Sequence, residues 1–252
     1  MNSTFSHLFF QYVLLFMVFS ISGWIMEVVL KYIEFHRFIN RGFLIGPYCP
    51  IYGMGAVLVT LMVRLFSRQE AGYVDAFFIS FVFCGALEYF VSWFLEKVYH
   101  ARWWDYSYRP MNIEGRVWIG NLLLFGIGGD IISLFLAPAV FSAADHMNPL
   151  LLHVICIVFI GTLAADATVS HFVTNAVRTV GNTMSGDNTE EITKEIRRFL
   201  HEKSFLHRRL LDAYPAMQMR NKAITQRLRE DRRMLKQKFK EERKKLYDRY
   251  NK

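Results

Sequence analysis

The residues best able to do chemistry in this chain are acids and arginines set among apolar runs. Glu27 follows Gly23-Trp24, Glu88 follows Gly85, and Asp130 and Asp166 interrupt two further apolar stretches. A charged side chain at the centre of a bilayer costs about 2.5–3.5 kcal/mol on insertion scales. Repeating that cost implies a polar interior, in which protonation, a cation, a proton path or a re-entering arginine balances the acids. Arg41 lies 14 residues after Glu27, and Arg102 lies 14 after Glu88. Each arginine sits in a loop of unusual make-up. The first mixes apolar side chains with Asn40, Arg41, Gly42, Gly46, Pro47, Pro50 and Gly53. Such a segment suits neither a plain helix nor a solvated loop, and it predicts a re-entrant or interfacial turn whose backbone is buried by protein. There Arg41 reaches Glu27 or a ligand anion. The second loop carries Glu96, Arg102, Trp103, Trp104 and Asp105. Its aromatics suit a membrane-interface belt. Glu88, Glu96 and Asp105 are the candidate partners of Arg102, whose planar fork also suits a carboxylate or phosphate ligand.

The elements that position these groups are apolar. Hydrophobic residues make up 53% of the 252, yet the net charge is +8. The two facts reconcile when the chain is divided near residue 173: the first 172 residues carry −2 and the remainder +10. Five stretches are long enough, or nearly so, to cross a bilayer: Leu8–Leu30, Pro50–Phe66, Val74–Val98, Val117–Phe141 and Leu150–Val173. The expected fold is therefore all-α: a polytopic helical membrane protein of about five transmembrane helices, with a re-entrant or interfacial loop and a cytosolic helical tail. Lys and Arg alternate between sparse and dense along the connections, which predicts a multi-pass protein of the cell membrane with its N-terminus outside and its C-terminus in the cytosol. The domains expected are a transmembrane domain over 1–173, a linker over 174–188 and a basic helical tail over 189–252. Gly181–Asn188 is rich in turn formers, Asn188 with Glu191 suits a helix start, and Pro215 suits a break before a second basic helix.

There is also a faint internal repeat. Gly23 to Glu27 and Gly85 to Glu88 each place an acid about one helical turn after a glycine, and each is followed by an arginine and then a proline, Pro47 or Pro110. Each half reads as an outward-to-inward helix, a cytosolic aromatic loop with arginine, and a returning helix.

Several function classes lack their signatures. No GxxxxGK[ST] phosphate loop, HExxH or GxSxG motif is present, so nothing marks a nucleophile and no catalytic residue is assigned. Asp166 and His171 do not share the i, i+4 face of an easy metal pair, and neither a metal nor a cofactor is expected. Cys49, Cys84 and Cys156 are scattered and suit apolar packing. The basic tail suits a solvated helix, an anionic lipid surface or a cytosolic partner; nucleic acid is not expected, for want of an aromatic-interleaved basic motif.

Four segments carry a resemblance: Gly23-Trp24-x-x-Glu27, Asn40-Arg-Gly-Phe-Leu-x-Gly-Pro-x-x-Pro-Ile-Tyr-Gly53, Leu87-Glu-Tyr-x-x-Ser-x-x-Leu-Glu96 and Ala101-Arg-Trp-Trp-Asp-Tyr-Ser107. Over roughly 10–140 they resemble the putative ABC-transporter type IV, or CmpB-like, family of bacterial membrane proteins. The tail lies outside the resemblance. It implies a bacterial inner-membrane permease-type subunit with a separate ATPase as partner. Its motif positions here are Glu27, Asn40, Arg41, Gly42, Gly46, Pro47, Pro50, Glu88, Glu96, Arg102, Trp103, Trp104 and Asp105. The ligand-binding or polar-core set expected is Glu27, Asn40, Arg41, Glu88, Glu96, Arg102, Trp103, Trp104, Asp105, Asp130 and Asp166. The expected partners are membrane lipids, an ATPase or other cytosolic protein, and a second copy of the chain. The alternative is a non-transporting scaffold or sensor whose tail binds a partner or anionic lipid. An intramembrane enzyme acting on a lipid or anion is the third class.

Overall fold

The structure, a computed structural model, describes residues 2–66, 72–99, 101–183, 205–206, 209, 213 and 218–219. The helix start expected at Asn188, the break at Pro215 and the second basic helix lie outside the described residues. The described chain is almost wholly helical. Helix α1 spans Asn2–Phe35, α2 Pro50–Phe66, α3 Tyr73–Tyr99, α4 Ile119–Ile131, α5 Ala137–His146 and α6 Pro149–Thr183. Two-residue strands β1 (Ala101–Arg102), β2 (Asn112–Ile113), β3 (Val117–Trp118) and β4 (Gln218–Met219) form two antiparallel pairs, β1 with β4 and β2 with β3.

Four helical stretches, Phe5–Phe35, Tyr73–Tyr99, Ile119–His146 and Pro149–Asn175, are long and apolar enough to cross a bilayer, and Pro50–Phe66 is a shorter apolar helix. The polytopic helical architecture expected from composition is thus the observed one. Helices α4 and α5 act as one rod joined by a single π-helical segment, Ile132–Leu136. Pro138 explains the widened turn: it has no N–H to donate, and its ring would strike the carbonyl four residues back.

The packing is turned inside out relative to a soluble bundle. Large apolar side chains such as Phe78, Leu124, Ile157 and Phe172 face outward, each more than half exposed. Between the helices lie small and polar groups: Ser20, Gly53, Ala56, Thr60, Ser80 and Gly129. Lipid is as apolar as leucine, so close backbone approach rather than burial of bulk holds such helices together. At Gly53 a Cβ would stand 2.4 Å from the Phe16 carbonyl oxygen, and at Gly129 it would stand 1.9 Å from Ser80 Oγ. At one end of the bundle Asp145 accepts from Gln11 Nε2 at 2.7 Å and meets His7 Nε2 at 2.8 Å. The two arginine loops lie at the opposite end.

Candidate functional site

The first loop begins where α1 stops at His36, whose backbone is left-handed at φ 51°. The chain then folds back along α1, so that Cys49 N donates to Ser20 O at 2.8 Å. Ser20 lies 15 residues before the end of α1, about 22 Å at 1.5 Å per residue. The loop therefore runs beside a helix overhang rather than out into solvent. Asn40 shapes it, accepting from Trp24 Nε1 at 2.7 Å and donating to Ile45 O at 2.9 Å. Arg41 Nε reaches Glu27 Oε2 at 3.3 Å, and Tyr52 OH donates to Glu27 Oε1 at 2.7 Å. Asp166 of α6 grips the far side, accepting from Ile45 N at 2.9 Å, Gly46 N at 2.7 Å, Tyr48 OH at 2.7 Å and Ser170 Oγ at 2.9 Å. Gly42 supplies the turn at φ 111°, a backbone that side chains rarely adopt. Burial, reinforced by the Asp166 hydrogen bond, pushes the Tyr48 phenol well above its usual pKa. Burial and then the Glu27 charge push the Cys49 thiol up to about 12.

The second loop is an ion-pair knot. Arg102, 3% exposed, donates from Nε to Glu96 Oε2 at 3.1 Å and from Nη1 to Asp105 Oδ1 at 3.3 Å and Glu114 O at 3.1 Å. Arg116 shares the same acid, with Nη2 at 2.9 Å from Glu96 Oε2, and donates from Nη1 to Ser92 Oγ at 3.2 Å. Trp104 Nε1 donates to Arg116 O at 3.0 Å. Gly115, at φ 67°, leaves room for Asp105 and Ser107, which a Cβ would meet at 2.4 and 2.3 Å. Trp103, 3% exposed, packs edge-on against Phe43 and Tyr99 with centroids 5.7 and 6.4 Å apart. Its ring joins the two loops.

Glu88 lies deeper, on α3. Its Oε1 accepts from Asn121 Nδ2 at 3.0 Å and Tyr106 OH at 3.4 Å. Asn121 also donates to Tyr106 OH at 2.9 Å. Burial, with the Glu88 charge next and Glu27 also contributing, pushes the Tyr106 phenol up to about 12. Tyr106 in turn acts electrostatically on Tyr52. Glu27, Tyr52, Tyr106 and Glu88 thus form one electrostatically linked set drawn from α1, α2, the second loop and α3. The two halves also match in detail. In each, an acid one turn after a glycine accepts from the third residue of the returning helix, Tyr52 of α2 or Asn121 of α4. In each, that glycine abuts the returning helix, Gly23 at Tyr52 and Gly85 at Leu122. The arginines differ: Arg41 takes Glu27, whereas Arg102 takes Glu96 and Asp105.

Of the expected residues, Asp166 braces the first loop from behind. Asp130 stands apart on α4, with Oδ1 buried and without a hydrogen-bond partner among the described residues. The initial set omitted Tyr52, Tyr106, Arg116 and Asn121. Among the described residues no group of three or more His, Cys, Asp or Glu is arranged to hold a metal.

A few described residues beyond α6 lie at this end. Arg41 Nη1 donates to the carbonyl of Ala213, which is wholly buried. Arg209 Nη2 donates to the carbonyls of Leu44 and Gly42. Strand β4 pairs with β1, setting Met219 against Ala101 and Gln218 against Arg102. A recess of about 190 Å³, part of it open to solvent, remains between Phe43, Ile45, Ser170, Thr174, Leu206 and Arg209.

No curated protein and no solved structure gives a significant match to the chain. A family model does, over residues 14–171, and this range takes in both arginine loops, Glu88, Asp130 and Asp166. The chain belongs to the family described as putative ABC-transporter type IV.

Proposed function

We propose that this chain is the permease-type subunit of a membrane transport system, and that its working site is the linked set Glu27, Tyr52, Tyr106 and Glu88, with Arg41 on Glu27 and Arg102 in the adjoining ion-pair knot. The family and the four long apolar helices make it a multi-pass, transport-related protein of the cell membrane. The observation that supports the site most is that acids from α1 and α3 meet polar groups from two loops that fold back along helix overhangs. Irregular backbone beside the bilayer is tolerated where protein buries it or where it lines a path. The charge pattern supports an orientation with this end at the cytosol and the N-terminus outside. The chain has no phosphate-binding loop of its own, so ATP-driven transport requires a separate ATPase, for which the loops and the basic tail over 189–252 form the natural contact. The test is a deletion of the gene compared with its complemented strain for uptake and efflux across solute classes, alongside purification of the intact protein in mild detergent. A solute-specific defect rescued by wild type but not by Glu27→Gln, with a co-purifying ATPase, is expected. No transport defect for any solute would sink the proposal.

One observation favours a second reading, a non-transporting scaffold or sensor. The guanidinium groups of Arg41, Arg102 and Arg116 are already engaged by protein oxygens, and residues of the tail rest on both loops. In that reading deleting 181–252 abolishes function while membrane insertion persists.

A further inference from the structure

The arginines of the loop end bind carboxylates, and the open valence of the site lies on an acid. Among the described residues Glu88 makes no ion pair, and its Oε2 is buried without a hydrogen-bond partner. The residue is 7% exposed. Its other oxygen accepts from two neutral donors, Asn121 Nδ2 and Tyr106 OH. An ionised carboxylate held by two neutral hydrogen bonds, with one oxygen facing apolar protein, is the costly state; a neutral acid is not. The groups facing Glu88 do not supply a positive charge. Cys84 neighbours it on its own helix, Tyr106 bonds it from the second loop, Tyr52 and Glu27 stand beyond Tyr106, and Arg116, which reaches α3 at Ser92, is paired with Glu96. Oε2 is sealed from solvent, so a metal cation or an amine has no room there without rearrangement. A proton requires none.

We propose that Glu88 is a proton-binding site, and that the row Glu27, Tyr52, Tyr106, Glu88 is the polar route joining it to the loop end. A hydronium ion on that side gives its proton to the Glu88 carboxylate. One O–H bond forms, water is released, and the side-chain charge changes from −1 to 0. Glu27 is the natural entry, since its side chain is 24% exposed whereas Glu88 is sealed. The inference deepens the transport reading by naming the proton as a coupled ion, but proton occupancy itself depends on neither a solute nor an ATPase.

Infrared difference spectroscopy of the intact protein in nanodiscs tests it. Wild type is expected to show a protonated-carboxyl C=O band at pH 7 that is absent in Glu88→Gln. Glu88→Gln, which mimics the neutral acid, is expected to unfold at the wild-type temperature. In Tyr52→Phe the deuterium shift of the band after transfer to heavy water is expected to slow at least several-fold. Absence of the band in wild type overturns the proposal. A sodium- or potassium-dependent rise in unfolding temperature that Glu88→Gln removes also overturns it, in favour of a metal cation. A band that shifts equally fast in Tyr52→Phe overturns the route. Failure of the uptake experiment with the band present would count against transport and leave proton binding intact.

Discussion

Arg102 is the side chain on which the second loop turns. Its guanidinium is nearly sealed and joins Glu96, Asp105 and the Glu114 carbonyl, one planar fork meeting oxygens in three directions. Removing one partner of a buried ion pair typically costs about 3–5 kcal/mol, because the other charge stays behind. Arg102→Ala is therefore expected to lower stability by about that amount, read as a fall in denaturation midpoint in detergent. Arg102→Lys should recover little, since a single ammonium cannot span those oxygens. A near wild-type midpoint for Arg102→Ala would mean that Arg116, which shares Glu96, carries the knot alone. The loop residues also set an alkaline limit. Cys49 moves from an ordinary 9.0 to about 12 and Tyr106 from 10.0 to about 12, both chiefly through burial. The folded state holds these protons more tightly than the unfolded chain, so their contribution is intact below about pH 9 and is lost as pH climbs towards 12. Denaturation midpoints followed across that window should fall, and Cys49→Ser should make the fall begin at higher pH. An unchanged profile in Cys49→Ser would show the thiol to be solvated.

The elements meet at glycines, and not all glycines matter equally. A Cβ on Gly53 would stand 2.4 Å from the backbone oxygen of Phe16, which cannot swing away. At Gly161 nothing lies within 4 Å. Gly53→Ala should therefore destabilise by about 1–3 kcal/mol as α1 and α2 are pushed apart. Gly161→Ala should be neutral or stabilise by up to about 1 kcal/mol, through helix propensity. Thermal unfolding of the two variants side by side checks this, and equal effects would refute the close α1–α2 approach. The helices themselves were legible from sequence, because length and apolar composition are local properties. So was the odd character of the first loop, since glycines and prolines among apolar residues contradict both helix and solvated coil. Tyr52 and Tyr106 were not legible. An interfacial tyrosine and one that bonds a buried acid look alike in sequence, and only the fold-back distinguishes them. The choice of Glu96 over Glu88 by Arg102 was hidden for the same reason: it depends on how far α3 overshoots the start of α4.

At the scale of the whole molecule, the described part of the chain after α6 rests on both loops. Its recorded points of attachment are Arg209 on the carbonyls of Gly42 and Leu44, Ala213 under Arg41, and β4 against β1. Sequence reading could not find them, because the partners lie as many as 172 residues apart and basic residues in a tail ordinarily signal solvent or lipid. Docked there, Arg209 and Ala213 lie against the loop that carries Arg41, the partner of Glu27, and partly shield that loop. Cys49 reports on this. Its side chain lies under the first loop, 6% exposed, with Sγ 3.9 Å from the Arg41 carbonyl, and Arg209 acts on it electrostatically. In a protein with Cys84 and Cys156 replaced by alanine, maleimide labelling of Cys49 at pH 8 should be slow. Truncation after residue 200 should speed it several-fold, and Arg209→Ala should have a smaller effect in the same direction, with α1–α6 helicity unchanged by circular dichroism. If labelling is as slow in the truncated protein as in the full chain, the loops close by themselves through Asp166 and the Phe43–Trp103 contact, and the tail is free to serve a partner instead.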